Sequence, residues 1–152
     1  MLINKLPIEA AAVTGCNYEA VIDFNDFTDT AATSKTLTVT IPADHWVRGG
    51  FHVLETDFAA PSISTMTYTV GDGSDADLFM TITEVETSGT EIDGKGPTPG
   101  SGAAATPTGK YYASADTLDI AFSATGANVN TLTAGKMRYF FSMVNLADLK
   151  KD

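Results

Sequence analysis

The sequence predicts an all-β fold: an antiparallel β-sandwich, jelly-roll-like, of about eight strands, and three observations carry that prediction. Apolar and polar residues alternate with period two in segment after segment, helical periodicity is nearly absent, and Gly, Asp, Asn and Pro punctuate the alternating runs. A chain of 152 residues is the size of one domain. It can bury roughly two thirds of its unfolded surface without help from a metal or a disulfide framework. Hydrophobic residues make up 43% and charged residues only 18%, so surface positions fall mainly to Thr, Ser, Ala and Gly, as strands prefer.

Taken in order, residues 1–17 are expected as an N-terminal arm, mildly apolar and without a strand pattern of its own, that frays or packs on another molecule. Residues 18–152 are expected as a single β-sandwich domain. EAVIDF (19–24) is its first strand. In KTLTVTIP, Leu37, Val39 and Ile41 face one way and Thr36, Thr38 and Thr40 the other, which defines a half-buried strand. WVRGGFHVLETDF (46–58) is a long strand interrupted by Gly49 and Gly50, the mark of a bulge or of a corner between sheets. STMTYTVG sets Met66, Tyr68 and Val70 against Thr65, Thr67 and Thr69, and LFMTITEV (78–85) follows. Next comes SGTEIDGKGPTPGSGAAATPTG (88–109), one long Gly/Pro/Ala-rich loop. A connection of that length is either a mobile, solvated loop or an element that orders against a partner, and both readings stay open. KYYAS (110–114) and TLDIAFS, with Leu118, Ile120 and Phe122 on one face, are two more strands. In KMRYFFSMVNL (136–146) both faces are apolar, so the last strand belongs in the middle of a sheet or under a neighbour.

Charge and cysteine content exclude several functions. A net charge of −10 and a pI near 4.4, with Lys and Arg scattered singly apart from Lys150-Lys151, leave nothing to neutralise a phosphate backbone, so no nucleic-acid partner is expected. The single cysteine, Cys16, allows neither an internal disulfide framework nor a multi-cysteine zinc site. Its context, VTGC, resembles a lipoprotein cleavage motif, but Pro7 and Glu9 break the apolar stretch that a secretion signal needs. No run approaches the ~18 apolar residues of a membrane helix, and the expectation is a soluble chain that starts as written.

The stretch most suggestive of chemistry is VGDGSDADLFM, residues 70–80, where Asp72, Asp75 and Asp77 crowd around Gly71 and Gly73. Spacing rules out an EF-hand, because Asp77 stands where the loop's glycine should be; a calcium-binding β-roll needs tandem copies, and the pattern occurs once. The turn reading asks that Gly71 and Gly73 supply positive φ and that Asp72 and Asp75 bond back to nearby amides. No metal, no cofactor and no catalytic residue is assigned. His52 lies within a strand and His45 at a strand start beside Asp44, so both read as satisfied or turn histidines. There is no GxSxG elbow; SATGANVNTLTAG (123–135) lacks the lysine of a P-loop; and Glu84 and Glu86 read as solvated. The expectation is a protein that is not an enzyme. Trp46, the only tryptophan, is either a core anchor or a platform for carbohydrate or protein, and its exposure decides.

The combination TLTVTIPADHWVRGGFHVLETDF, TVGDGSDADLFM and YYASADTLDIAFSATGANVNTLTAGKMRYFFSMVNL resembles small structural proteins encoded among the head genes of tailed bacteriophages, over about residues 19–147. The signatures are fold-bearing turns, not catalytic ones. The resemblance implies a virion component, a capsid decoration or cement protein that is made in the bacterial host cytoplasm and sits on the capsid exterior. Its implied partner is the major capsid protein, and its implied state a homotrimer. The alternatives are a carbohydrate- or receptor-binding β-sandwich module of a head or tail fibre, or a neck or tail adaptor. Contacts are expected from residues 1–17 and 88–109, which lack strand patterns of their own.

Overall fold

The computed structural model describes residues 1–85 and 109–149, so the long loop expected over residues 88–109, save Gly109, lies outside the described residues, as do Glu86 and the Lys150-Lys151 pair. Among the described residues there are nine strands: β1 (Leu2–Lys5), β2 (Tyr18–Asp23), β3 (Ser34–Ile41), β4 (His45–Ala59), β5 (Thr65–Asp72), β6 (Asp75–Glu84), β7 (Lys110–Tyr112), β8 (Asp116–Thr125) and β9 (Ala134–Asn145). They form a five-stranded sheet, β1-β2-β9-β4-β7, and a four-stranded sheet, β3-β8-β5-β6. Every pairing is antiparallel.

The topology is that of a jelly roll. β2 pairs with β9, β3 with β8, β4 with β7 and β5 with β6, as in one long antiparallel ribbon folded at its β5–β6 end. Rolling that ribbon up adds the lateral pairs β4–β9 and β5–β8 and sends its successive strand pairs, β2–β9, β3–β8, β4–β7 and β5–β6, to alternate sheets. β9, the strand with two apolar faces, lies in the middle of its sheet, as expected.

The inward halves of the alternating strands meet in one core. Phe27, Phe58, Tyr68 and Phe122 pack at one place, with the Phe27 and Phe122 rings edge-on at 5.0 Å and Tyr68 stacked on Phe122 at 5.5 Å. Each such buried side chain contributes about 1.5–3 kcal/mol. Phe27 is delivered by a 3-10 turn, Phe24–Phe27, whose start is locked by reciprocal Asp23 and Asp26 side-chain bonds.

Gly49 and Gly50 mark a bulge, and both halves of β4 stay in the same sheet. Register passes from Gly49↔Phe141 to His52↔Tyr139, so Gly50 and Phe51 oppose Phe140 alone. The extra residue shifts the alternation by one: Val47 and Gly49 face the core before the bulge, His52 after it, and Phe51 turns outward to stack on Phe140 at 4.7 Å. Glycine is required here for space. A Cβ on Gly49 would lie 2.8 Å from the Tyr139 hydroxyl, and one on Gly50 2.4 Å from the Phe140 carbonyl oxygen.

Residues 1–17, expected as an arm without strand pattern, are instead built into the sandwich. β1 is the edge strand of the larger sheet, in register Leu2↔Val21 through Lys5↔Tyr18. A seven-residue helix, α1 (Ile8–Thr14), follows and ends at Gly15 in the left-handed conformation, φ 68°. The alternation was hidden because Leu2, an apolar residue, points outward at 60% exposure while Ile3 packs against the core. No helix among the described residues is long and apolar enough to cross a membrane.

Candidate functional site

The β5–β6 hairpin closes through the pair Asp72↔Asp75, leaving Gly73 and Ser74 as the loop. Neither Gly71 nor Gly73 has positive φ, contrary to the turn reading. Gly71 is needed for closeness instead, since a Cβ there would come within 2.0 Å of the Asp75 carbonyl oxygen; at Gly73 nothing lies within 4 Å.

Asp72 does bond back to the turn, and also does something sequence spacing could not reveal. Its side chain is 0% exposed. Oδ1 accepts from the Ser74 amide (2.9 Å), the Ser74 hydroxyl (2.6 Å) and the Asp75 amide (3.0 Å). Oδ2 accepts from Lys110 Nζ at 2.5 Å and the Tyr112 hydroxyl at 2.7 Å, both on β7 of the opposite sheet. Burial alone would raise this carboxyl, but the Lys110 ammonium and the Ser74 and Tyr112 hydroxyls overcome it and hold Asp72 well below the usual carboxylate range. In turn, burial and then the Asp72 carboxylate push the Tyr112 phenol far up. With both oxygens engaged, Asp72 is a bolt between the sheets and has no lone pair left facing an ion. Asp75 and Asp77 stand further out, and the hydrogen bond to Asp75 raises the Asp77 carboxyl. Among the described residues no group of three or more His, Cys, Asp and Glu is arranged to hold a metal ion.

The histidines are widely different. His52 is 3% exposed in the core, its Nδ1 lying 2.8 Å from the Tyr68 hydroxyl, which also touches the Met80 sulfur. His45 is half-buried, with Nδ1 2.8 Å from the Ala43 carbonyl, in the turn where Asp44 takes φ 60°. Cys16 is enclosed beside Gly50 and Ser142; burial pushes its thiol up, and the Arg48 charge and the Ser142 hydroxyl draw it part of the way back. Such a thiol is a packing group rather than a nucleophile.

Trp46 is half-buried, neither core anchor nor free platform. It pairs with Tyr111 on one side and Val144 on the other, so the three side chains form one row on the outer face of the larger sheet. The Tyr111 hydroxyl donates to Asp44 Oδ1 at 2.7 Å. Three rows on, Arg138 on the same face reaches both Glu55 and the nearly buried Glu19, which also accepts from Asn4 at 3.0 Å, so ion pairs tie β2, β9 and β4 together and a hydrogen bond adds β1. The N-terminal lobe docks beside them: Arg48 and Ser142 donate to the Gly15 carbonyl at 2.7 and 3.0 Å. Its own side chains Ile8 and Val13 remain 79% and 88% exposed. Sequence reasoning missed this lobe as a built element; the Gly15 stop after a short apolar run was its one signal. Scanned against protein-family models, curated proteins and solved structures, the chain matches none.

Proposed function

We propose that the protein is a structural virion component of a tailed bacteriophage, a capsid decoration or cement protein that binds the outer surface of the major capsid protein lattice as a homotrimer and stabilises the head. The observation that carries this reading is the N-terminal lobe: Leu2, Ile8 and Val13 are 60%, 79% and 88% exposed on a segment fixed to a rigid jelly roll. Aliphatic side chains held out to water on an ordered scaffold suit contact with another protein surface. An acidic, nucleic-acid-averse chain also suits a place outside the shell. The test mixes purified protein with preformed capsids and measures occupancy. Ile8→Ser with Val13→Ser is expected to weaken binding about tenfold or more, from the lost apolar burial, with the melting temperature unchanged. Wild-type occupancy for the double variant would remove the lobe from the contact, and no occupancy for the unaltered protein would remove the function.

A second reading, a carbohydrate- or receptor-binding module of a fibre, draws on the exposed Tyr111 beside Trp46. A glycan screen read by tryptophan fluorescence separates it from the first.

A further inference from the structure

We propose that Trp46, Tyr111 and Asp44, at the β7 end of the five-stranded sheet, form a recognition site for a basic side chain, arginine or lysine, of a partner protein. The proposal rests on the reading above only in taking the partner to be a protein.

The two rings are brought together by the fold. Trp46 on β4 and Tyr111 on β7 stand directly opposite each other in the sheet, so both side chains rise from the same outer face. Tyr111 is 48% exposed, and among the described residues it is the one aromatic among the large hydrophobic residues left open. Gly109 packs its backbone against the Trp46 ring, where a Cβ would come within 2.7 Å of Cζ2, and so supports the indole from one side. The indole N–H makes no hydrogen bond among the described residues, which leaves it as a donor for a partner's backbone carbonyl.

Asp44 supplies the charge. It is the single non-glycine residue among those described with positive φ, at 60°, a conformation that costs on the order of 1 kcal/mol and persists because its surroundings hold it. The Tyr111 hydroxyl bond holds the carboxylate at the edge of the phenol, and donating that proton enriches the ring in electron density. Asp44 is exposed and has no ion-pair partner among the described residues. Arg48, the next side chain along this face, is committed to the Gly15 carbonyl. A carboxylate at the hydroxyl edge of Tyr111, whose cross-strand partner is Trp46, is complementary to a guanidinium or ammonium, through the ion pair and the ring quadrupoles together. The field of a chain with net charge −10 draws the same kind of partner. A neutral sugar would use the rings and gain nothing from that field.

The test uses the full chain and its sole tryptophan as reporter. An acetylated, amidated arginine–glycine peptide is titrated in, with a serine–glycine peptide and a neutral oligosaccharide as parallel arms. The expected result is a saturable fluorescence change with the arginine peptide only, weakened by salt. Asp44→Asn should weaken it about tenfold. Tyr111→Ala should do so comparably, and Tyr111→Phe, which keeps the ring, by less. Unchanged thermal melting of Asp44→Asn guards against misfolding. No saturable change with the arginine peptide, or an equal response to the oligosaccharide that survives Asp44→Asn, would overturn the proposal. Capsid occupancy is measured separately: occupancy without peptide binding defeats this site alone, and peptide binding without occupancy defeats the cement function alone.

Discussion

On the outer face of the five-stranded sheet, rings and ion pairs cross from strand to strand, Tyr111 to Trp46 to Val144, Phe51 against Phe140, Arg138 to Glu19 and Glu55. On the outer face of the four-stranded sheet the corresponding rows read Ser34–Ser123–Thr67, Thr36–Ala121–Thr69 and Thr40–Thr117. Asp119 and Glu84 are the charged residues in its rows. Backbone geometry is the same on both sides, so the difference lies in what each face has to meet. Short β-branched hydroxyl side chains satisfy the strand preference, lose little entropy and can be solvated as they stand. Half-buried aromatics and a nearly buried Glu19 can persist only if something holds them, and here the Phe51–Phe140 stack, the Tyr111–Asp44 bond and the Arg138 network do so. One face is braced and the other merely wetted.

The largest effect should come from the corner that joins the two faces. Asp72→Ala leaves the Lys110 ammonium and the Tyr112 hydroxyl without their acceptor and is expected to cost about 3 kcal/mol or more in chemical denaturation. A loss below about 1 kcal/mol would mean that the sheets hold together without this bolt. The same residue gives a pH signature. Its folded carboxyl lies below its unfolded value, so its contribution is complete above about pH 4, the ordinary carboxylate value, and is lost as pH falls toward the folded one. The unaltered protein should therefore lose stability below about pH 4 more steeply than Asp72→Asn, measured by melting at several acid pH values.

A smaller effect is expected within the braced face. Arg138→Met keeps the aliphatic stem but strips Glu19 of its cation; because Arg138 is partly exposed and screened, about 1–2 kcal/mol is expected. The smallest belongs to the wetted face, where Thr67→Ala should cost about 0.5 kcal/mol or less. Equal costs for Arg138→Met and Thr67→Ala would erase the contrast between the faces.

Most of the fold was legible because alternation is a local property. All eight expected strands are present within a few residues of their expected bounds, and the sandwich follows from burying one face of each. What failed to show was whatever depended on partners far along the chain. β1 carries too weak a pattern to announce itself and becomes a strand only because β2 offers it an edge. The turn at Gly71–Gly73 is legible in the sequence but its cause is not: Gly71 is demanded by a close approach across the hairpin, not by φ. At the candidate site, Trp46 stands out in the sequence as the sole tryptophan, whereas Tyr111 is one of five tyrosines. They are 65 positions apart in the chain (46 to 111) and meet only in the rolled ribbon.

The sequence by itself determined which residues form strands and which side of each strand is apolar, since both follow from the two-residue period and the turn residues. Only the tertiary structure decided that Lys110 would answer Asp72, that a bulge would turn His52 inward and Phe51 outward, and that Trp46, Tyr111 and Asp44 would share one surface. Those outcomes depend on which strands come to lie side by side when the sheets close, and that is settled by core packing and loop closure over the whole chain rather than by any local run.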